Sequence, residues 1–319
     1  MSEYRGKHAP SKPWPVASSA SMPLRRGRHR KKNRRRVFRV VLILLVVLAL
    51  AAWPFVEARI VTVEKVSVKS ADLPSAANHF KVVYVTDIHW GHWFSDSQLQ
   101  SLFLKIKSLQ PDLVLFGGDY ATDNASAVEF FGRVQNLSGQ YRIHSRYGLY
   151  GVLGEADRGE TDFDRDQVTE AMTNAGITPL VNESVPVYIG SGTIWLAGLD
   201  DYLAGRPDLK AVASKVNADD FVILLSHNPA VIQEAQQTLN ASGSLGWFDI
   251  GLFGHTHGGQ MKLFSPMADE IEDIPERYIS GWLTENRSQL LFSNGVGTSG
   301  FPGRLLCPAR IHLIELLTE

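Results

Sequence analysis

The stretch that most constrains the fold is an apolar run followed directly by two closely spaced histidines. Residues 248–253 (FDIGLF) read as a buried β-strand, and residues 254–259 (GHTHGG) follow at once. On an extended segment His255 and His257 project from the same side, so both imidazoles can reach one site. The flanking glycines let the backbone turn sharply and approach a ligand closely. Taken alone, the stretch is equally compatible with a solvated loop that carries two surface histidines.

Several other predicted strands end in side chains of the same kinds. From residue 60 onward, short apolar runs alternate with amphipathic helical patterns, which is typical of an α/β domain. In open α/β sheets, ligands bind in the crevice at the carboxyl ends of the strands. Besides the two histidines above, the residues predicted at these ends are Asp87, His89, Asp119, Glu155, Asp157 and His227. Carboxylates that converge there would repel one another unless a cation neutralised them.

This set of side chains predicts a metal centre. Mixed histidine and carboxylate ligation suits Mn²⁺, Zn²⁺ or Fe²⁺ better than Ca²⁺ or Mg²⁺. Six or seven ligands are too many for one tetrahedral ion. Two ions roughly 3.5–4 Å apart, bridged by one carboxylate, would use them all and would clamp a phosphoryl group. Each residue taken singly could instead be a helix N-cap or a hydrogen-bonded core histidine.

In order and spacing, five blocks of the chain resemble the calcineurin-like metallophosphoesterase superfamily. They are DIH (87–89), GD (118–119), GEAD (154–157), SH (226–227) and GHTH (254–257). Three further matches resemble the membrane-associated bacterial branch of that family, namely AGLDD (197–201), GGQ (258–260) and NGVGTS (294–299). The resemblance covers about residues 78–317.

The resemblance implies a four-layer α/β/β/α sandwich of two mixed sheets, with a site for two metal ions. By position, Asp87, His89 and His257 would hold the first ion, Asp119 would bridge, and His227 and His255 would hold the second. The implied reaction is hydrolysis of a phosphate ester or pyrophosphate bond by a metal-activated hydroxide, because bound cations lower the pKa of water towards neutrality.

The third block departs from the family pattern. The family normally has Gly-Asn-His followed by Asp or Glu, whereas this chain has Gly154-Glu155-Ala156-Asp157. Glu155 can replace the asparagine as a metal ligand, with one extra negative charge beside an anionic substrate. Ala156 stands where the family has a histidine, and its side chain can donate neither a proton nor a hydrogen bond to a leaving group. Loss of a general acid typically lowers the reaction rate by a factor on the order of 10²–10⁴. The alternative function is therefore a metal-binding pseudoenzyme, or ligand-binding module, with impaired catalysis.

Other residues near these blocks are candidates for catalysis or substrate binding. Asp119, Asp157 and Arg158 form the predicted catalytic set, in which Arg158 would supply a cation to the phosphate or would simply be a solvated arginine. His92 is a candidate substitute for the missing histidine, and Arg304, after a glycine-rich stretch, is a candidate phosphate contact. Trp90, Trp93 and Phe94 would either contact an acyl chain or pack in the core.

The charge distribution predicts a membrane anchor near the N-terminus. The formal net charge is -1, but positive and negative charges are unevenly distributed along the chain. Residues 1–39 contain 13 Lys/Arg and one acidic residue, whereas the rest of the chain contains 19 basic and 32 acidic residues. Residues 40–56 (VVLILLVVLALAAWPFV) then run 17 positions without a charge, at the short end for a membrane-spanning helix. The basic flank should stay cytoplasmic, which places the rest of the chain on the outer side of a bacterial inner membrane.

The predicted organisation is therefore a disordered basic tail (1–39), a transmembrane anchor or uncleaved signal (40–56) and one phosphoesterase domain (60–319). A cleaved signal stays open because Ala49-Leu50-Ala51 has the small-x-small form of a signal peptidase site, and residues 35–38 (RRVF) have some twin-arginine character. The expected partners are the membrane and a phosphorylated small-molecule or lipid-linked substrate. The acidic body argues against a nucleic acid partner, and a lone Cys307 excludes an internal disulfide framework.

Overall fold

Two mixed β-sheets of six strands each form the centre of the domain in the computed structural model, which describes residues 11–15, 28–91, 93–137, 139–262 and 274–319. The strands of the first sheet are β1 (Thr62–Ser70), β2 (Phe80–Val85), β3 (Leu113–Phe116), β4 (Leu149–Gly151), β5 (Thr178–Pro179) and β12 (Arg310–Thr318). Those of the second sheet are β6 (Glu183–Ile189), β7 (Gly192–Gly198), β8 (Phe221–Leu225), β9 (Ile250–Phe253), β10 (Gly281–Glu285) and β11 (Ser288–Phe292).

Parallel strands lie side by side in the middle of each sheet. The first sheet has the order β1-β12-β2-β3-β4-β5, in which β2 to β5 are parallel, and the second has the order β10-β11-β9-β8-β7-β6, in which β11, β9, β8 and β7 are parallel. The central strands β3, β8 and β9 are buried throughout, as expected for strands covered on both faces. Because parallel strands end at the same edge, the segments after β2, β3 and β4 emerge together, as do those after β8 and β9.

Helices cover the outer faces of the two sheets. They are α2 (Asp96–Ser108), α3 (Asn124–Gln135), α4 (Glu155–Arg158) and α5 (Asp162–Asn174) beside the first sheet, and α6 (Leu209–Ala213) and α7 (Ile232–Gln237) beside the second. One further helix, α1 (Arg28–Glu57), precedes β1 in the sequence. Val82 and Leu115 of the first sheet share one apolar core with Ile223 and Leu252 of the second, so the sheets pack face to face. The predicted four-layer α/β/β/α fold with two mixed sheets is therefore confirmed.

The N-terminal helix α1 is long and apolar enough, by length and composition, to cross a membrane over Arg34–Glu57. Its large apolar side chains between Val37 and Leu50 are each 47% to 68% exposed. The helix begins at Arg28 and so includes part of the segment that we expected to be a disordered tail, because Lys and Arg have good helix propensity. Residues 1–10 and 16–27 of that predicted tail lie outside the described residues.

Asp249 ties the sheets together at the edge where β8 and β9 begin. Its Oδ1 accepts a hydrogen bond from the Ser70 hydroxyl (2.7 Å), and its Oδ2 accepts one from the Val222 backbone N–H (2.9 Å). Burial of the carboxyl raises its pKa to about 6, and the two hydrogen bonds, which lower the pKa, offset the effect of burial only in part. Ionisation of Asp249 is therefore harder in the folded than in the unfolded protein.

We expect the stability contributed by Asp249 to be fully present below about pH 4 and lost as the pH rises through about 6, because its folded pKa lies above its unfolded value. Urea unfolding of the wild type and of Asp249→Asn between pH 4 and 7 would measure this. The wild-type free energy of unfolding should fall by at most roughly 3 kcal/mol relative to the variant. The surface variant Asp219→Asn should show no such trend, and a constant difference for Asp249→Asn would contradict the expectation.

Candidate metal centre

The predicted ligands meet where the two sheets present the carboxyl ends of their parallel strands. Asp87, Asp119 and Glu155 lie shortly after β2, β3 and β4 in the first sheet, whereas His227 and His255 follow β8 and β9 in the second. Face-to-face packing of the sheets brings these two edges together. The sandwich thus assembles residues that are up to 170 positions apart in the sequence.

Three side chains form the first group of candidate ligands. The Nε2 atoms of His89 and His257 lie 3.0 Å apart, and Nε2 of His257 lies 3.4 Å from Oδ1 of Asp87. One ligand atom from each residue falls within 4.8 Å of the others. This group is the same as the set that the family resemblance implies for the first ion.

A second group consists of Glu155, His227 and His255. Oε1 of Glu155 lies 2.9 Å from Nδ1 of His255, and its Oε2 lies 3.1 Å from Nε2 of His227. These ligand atoms also lie within 4.8 Å of one another. The carboxylate that replaces the family's asparagine therefore contacts both histidines implied for the second ion.

Asp119 lies between the two groups. Its Oδ2 is 3.4 Å from Nε2 of His89 and 3.4 Å from Nε2 of His227. With Asp87 and His227 it forms a third candidate group. Its other oxygen, Oδ1, accepts a hydrogen bond from the backbone N–H of Ala156 (3.1 Å), which fixes the orientation of the carboxylate. This placement fits a bridging ligand.

The donor set fits divalent cations because buried polar atoms in it lack other partners. Oδ2 of Asp87 has no hydrogen-bond partner among the residues that the structure describes, and Oε2 of Glu155 and Nε2 of His227, which lie 3.1 Å apart, have none outside the cluster. Buried polar atoms in proteins are nearly always hydrogen-bonded, so an unpaired group commonly marks an ion or water site. Here three such atoms belong to a single cluster.

The electrostatics of His227 point the same way. Nδ1 lies 2.7 Å from the carbonyl oxygen of Gly117, a position that suits an Nδ1–H donor and directs Nε2 towards the carboxylates. Burial lowers the pKa of His227, but Asp119 and Glu155 raise it more, so the net pKa lies well above its usual value. The carboxylates thus stabilise positive charge at Nε2, whether a proton or a metal ion supplies it.

His257 lies in the opposite electrostatic environment. Its pKa is lowered well below the usual value, first by burial and then by the neighbouring His89. A neutral imidazole is the form that binds metal ions. The first group is therefore ready to bind a cation without first losing a proton from His257.

The backbone at the site is held in an uncommon conformation. Five of the candidate ligands have φ in the left-handed region: Asp87 (53°), His89 (45°), Asp119 (51°), His255 (66°) and His257 (48°). Such conformations in non-glycine residues cost about 1–3 kcal/mol each and cluster at functional sites. Neighbouring glycines make room for the ligands, since a Cβ at Gly154 would lie 2.1 Å from Oδ1 of Asp119.

The two charged residues after Glu155 are bonded within the protein. Both oxygens of buried Asp157 accept backbone hydrogen bonds, from Tyr120 (2.9 Å) and Gly154 (3.1 Å), which ties together the segments that carry Asp119 and Glu155. Arg158 donates to Asp162 (2.7 Å), Asp200 (3.4 Å) and the Thr161 carbonyl (2.8 Å) and is itself buried. These bonds support the loop, and direct catalytic roles for the two residues stay predictions.

Arg304 is fully buried in the glycine-rich loop, residues 293–309, between β11 and β12. Its guanidinium donates to the carbonyl oxygens of Asn294 (2.7 Å) and Gly297 (2.6 Å), and Nη2 lies 3.5 Å from Nδ1 of His257. The side chain thus packs against a candidate metal ligand. Its predicted contact with a phosphate stays a prediction, and the enclosed geometry favours support of His257 instead.

Glu57 at the end of α1 is a supporting residue that the sequence analysis missed. Its Oε1 accepts a hydrogen bond from the Cys307 backbone N–H (2.9 Å), and its Oε2 accepts one from the Trp53 indole (3.0 Å). Sγ of Cys307 in turn donates to the carbonyl oxygen of His257 (3.2 Å). The end of the apolar helix is thus connected to the metal centre. The sequence feature that could have drawn attention to Glu57 is its position as an acidic residue directly after a long apolar run.

The remaining predicted residues fall into different environments. Trp90 and Phe94 are buried, and the Trp90 indole donates to Asp96 (2.9 Å), so both pack in the core. Trp93 is 51% exposed. His92, the candidate substitute for the missing histidine, lies outside the described residues.

Comparisons with known proteins agree with this geometry. The calcineurin-like phosphoesterase family matches residues 80–259. The uncharacterized metallophosphoesterase YkuE of Bacillus subtilis is 27% identical over 266 residues, which cover 82% of this chain and 87% of the relative. The phosphodiesterase YaeI of Escherichia coli is 27% identical over 242 residues (75% and 82%). A transmembrane protein with metallophosphoesterase domain from Danio rerio is 25% identical over 295 residues, and the chain spans 62% of that relative.

We expect Mn²⁺ to stabilise the purified full-length protein by about 2.7 kcal/mol for each site at 100 times the dissociation constant of that site, because the folded state binds the ions and the unfolded state does not. His227→Gln should lose the part contributed by the second ion, since it removes a nitrogen from two of the candidate groups, whereas the group of Asp87, His89 and His257 keeps its ligands. Thermal unfolding at increasing Mn²⁺ concentration, with metal analysis of the protein, measures both. The exposed variant His144→Gln is the matched control. Equal stabilisation of both variants would contradict the proposed ligand set.

Proposed function

The chain belongs to the calcineurin-like phosphoesterase family, and from this membership we propose that it is a membrane-anchored hydrolase that cleaves a phosphate ester or pyrophosphate bond with two divalent metal ions. The observation that carries the proposal is the position of Asp119, with one oxygen 3.4 Å from a histidine of each ligand group. The ions would be Mn²⁺, Zn²⁺ or Fe²⁺, which suit mixed histidine and carboxylate ligands.

Different residues of the chain would bind each of the two ions. Asp87, His89 and His257 would hold one ion, while Glu155, His227 and His255 would hold the other, with Asp119 between them. When bound, two such ions act as Lewis acids on a phosphoryl group and lower the pKa of a water molecule. The buried Asp157 fixes the turn that carries Glu155, and Arg304 holds the loop against His257.

The third block limits the range of good substrates. Glu155 adds a negative charge, but as a ligand of the second ion, together with His255 at 2.9 Å, it would be offset by the positive charge of that ion, which reduces repulsion of an anionic substrate. Ala156 offers no side-chain proton to a leaving group. Substrates whose leaving groups need no protonation, such as pyrophosphates and aryl esters, are therefore favoured over simple alkyl esters.

A membrane anchor formed by α1 would hold this chemistry at a membrane surface. Helix α1 has the length and composition of a membrane span, and its apolar side chains are exposed. The basic residues ahead of it favour a cytoplasmic N-terminus, so the domain would lie on the outer side of the bacterial inner membrane. A lipid-linked phosphoester is then the substrate class that the protein would meet at highest concentration.

A second function, a metal-binding pseudoenzyme or ligand-binding module, is favoured by the Glu155-Ala156 pair alone. Such a protein would bind two ions and a phosphorylated ligand without turnover. The complete set of candidate ligands and the strained backbone that holds them favour the hydrolase, because perturbed, strained groups collect at sites of chemistry.

We expect the Mn²⁺-loaded full-length protein to hydrolyse p-nitrophenyl phosphodiesters, and Asp119→Asn to abolish this activity. The double variant Glu155→Asn/Ala156→His should raise turnover of alkyl phosphoesters by on the order of 10²–10⁴ and of aryl esters much less, because the restored histidine protonates poor leaving groups. Steady-state assays with alkyl and aryl esters measure the turnover of the double variant relative to the wild type for each kind of substrate.

Three outcomes separate the alternatives. Absence of wild-type activity on phosphodiesters, phosphomonoesters and pyrophosphates, with metal bound, would leave the pseudoenzyme. Gain of activity only in the double variant would show a crippled site. A double variant no faster than the wild type on any ester would contradict the role that we assign to Ala156.

A further inference from the structure

A cavity of about 200 Å³ lies beside the metal centre, at the end of the apolar helix. It is lined by the last turn of α1 and the residues after it, by the segment that follows His89, and by the glycine-rich loop. The lining residues that matter here are Phe55, Ala58, Arg59, Trp93, Thr298 and Pro302. Trp93 is one of the aromatic residues for which the sequence leaves an acyl-chain contact open, and none of these lining residues belongs to the candidate ligand groups.

The chemistry of the lining is that of a site for an amphiphile. Phe55 and Trp93 each keep about half of their surface exposed, at 42% and 51%, and offer aromatic faces to an apolar guest. Arg59 is the cation of the lining, is exposed, and has no ion-pair partner among the residues that the structure describes. An apolar wall with one unpaired cation suits a molecule that has a hydrocarbon chain and an anionic group.

The cavity shares its wall with the first group of metal ligands. Gly297 lines the cavity, and its backbone N–H donates to the carbonyl oxygen of Asp87 (2.7 Å). A Cβ at Gly297 would lie 2.1 Å from the carbonyl oxygen of Ile88, between two candidate ligands. A guest in the cavity is therefore separated from the metal-binding segment by the thickness of one backbone strand.

The cavity is also fixed to the end of the apolar helix. The Arg304 backbone N–H donates to the carbonyl oxygen of Pro54 (3.0 Å), the rings of Phe55 and Phe301 lie 5.4 Å apart, and Glu57 binds the backbone of Cys307 (2.9 Å). These contacts dock the last turn of α1 on the glycine-rich loop. If α1 crosses a bilayer, its last turn, which includes Phe55, lies at the outer membrane surface, where the alkyl chains and phosphates of lipids meet.

We propose that this cavity binds the first methylenes of an alkyl chain, and that the substrate is an amphiphilic phosphoester whose phosphate reaches the metal centre while its chain lies between Phe55 and Trp93. This inference rests on the proposed hydrolase and narrows its substrate class. Arg59 pairs with an anionic group of the same molecule. The occupant is a single-chain or double-chain lipid phosphate from the leaflet that surrounds α1.

The test uses alkyl p-nitrophenyl phosphodiesters with methyl, butyl and octyl chains, which differ only in the part that enters the cavity. With full-length, Mn²⁺-loaded protein in lipid nanodiscs, kcat/KM should rise by about fourfold for each methylene that is buried, from about 0.8 kcal/mol per CH₂. Ala58→Trp, which fills the cavity, should lower the ratio of kcat/KM for the octyl substrate to kcat/KM for the methyl substrate. The remaining ratio should be close to the value that partition of the two substrates into the bilayer alone would give. Trp93→Ala, which removes one wall, should lower the ratio in part, and Leu245→Ala, an exposed leucine elsewhere on the domain, should leave it unchanged.

Bilayer partition by itself also favours longer chains, but it is the same for every variant. A wild-type ratio that persists in both Ala58→Trp and Trp93→Ala would therefore overturn the cavity assignment, as would a flat series in the wild type. Binding of octyl phosphate and methyl phosphate by calorimetry gives a second readout that needs no turnover. Tighter binding of octyl phosphate, lost in Ala58→Trp, would support the cavity even if no ester is hydrolysed, whereas metal-loaded protein without activity on any ester would overturn the hydrolase alone.

Discussion

Asp87 and Asp119 lie close together and are almost fully buried, and two negative charges at such a position repel strongly unless positive charge lies between them. The protein supplies four imidazoles around these carboxylates, yet among the described residues it leaves Oδ2 of Asp87 without a hydrogen-bond partner and Nε2 of His227 without one outside the cluster. Divalent cations would balance this arrangement, and the uncommon backbone conformation at five of the candidate ligands is a cost of holding them in place. The strand order, the glycine turns and the hydrogen bonds of Asp157 all serve to bring these groups together.

A second layer of contacts connects the site with the end of α1. Arg304 lies against His257 and donates to the carbonyls of the glycine-rich loop, while Glu57 accepts hydrogen bonds from the same loop. A buried arginine surrounded by carbonyl oxygens holds a loop rigidly, because removal of any partner leaves a charged donor unsatisfied. The end of the apolar helix is thus part of the support of the candidate metal centre.

Some features of the molecule could be predicted from its sequence, and others could not. The blocks around Asp87, Asp119, His227 and His257 were predictable because each follows an apolar strand at the spacing of a known family. The buried state of Trp90 and the exposed state of Trp93 were not predictable, since neighbouring aromatic residues in a loop carry no periodicity that distinguishes core from surface. The role of Glu57 was also hidden, because its partner Cys307 lies 250 positions away.

The layered α/β fold, the family, and the residue types at the ends of the parallel strands could be predicted from the amino-acid sequence, because they follow from local patterns of apolar and polar positions. Three-dimensional packing was needed to show which of those side chains lie within contact distance of one another and that Asp119 lies between the two groups. It was also needed to show that Arg158 and Arg304 are enclosed by hydrogen bonds, and that a cavity lies at the helix end beside the segment that carries Asp87. Such facts depend on the packing of two sheets and on loops whose course is fixed by distant partners, and the distances between residues far apart in the chain are set by that packing.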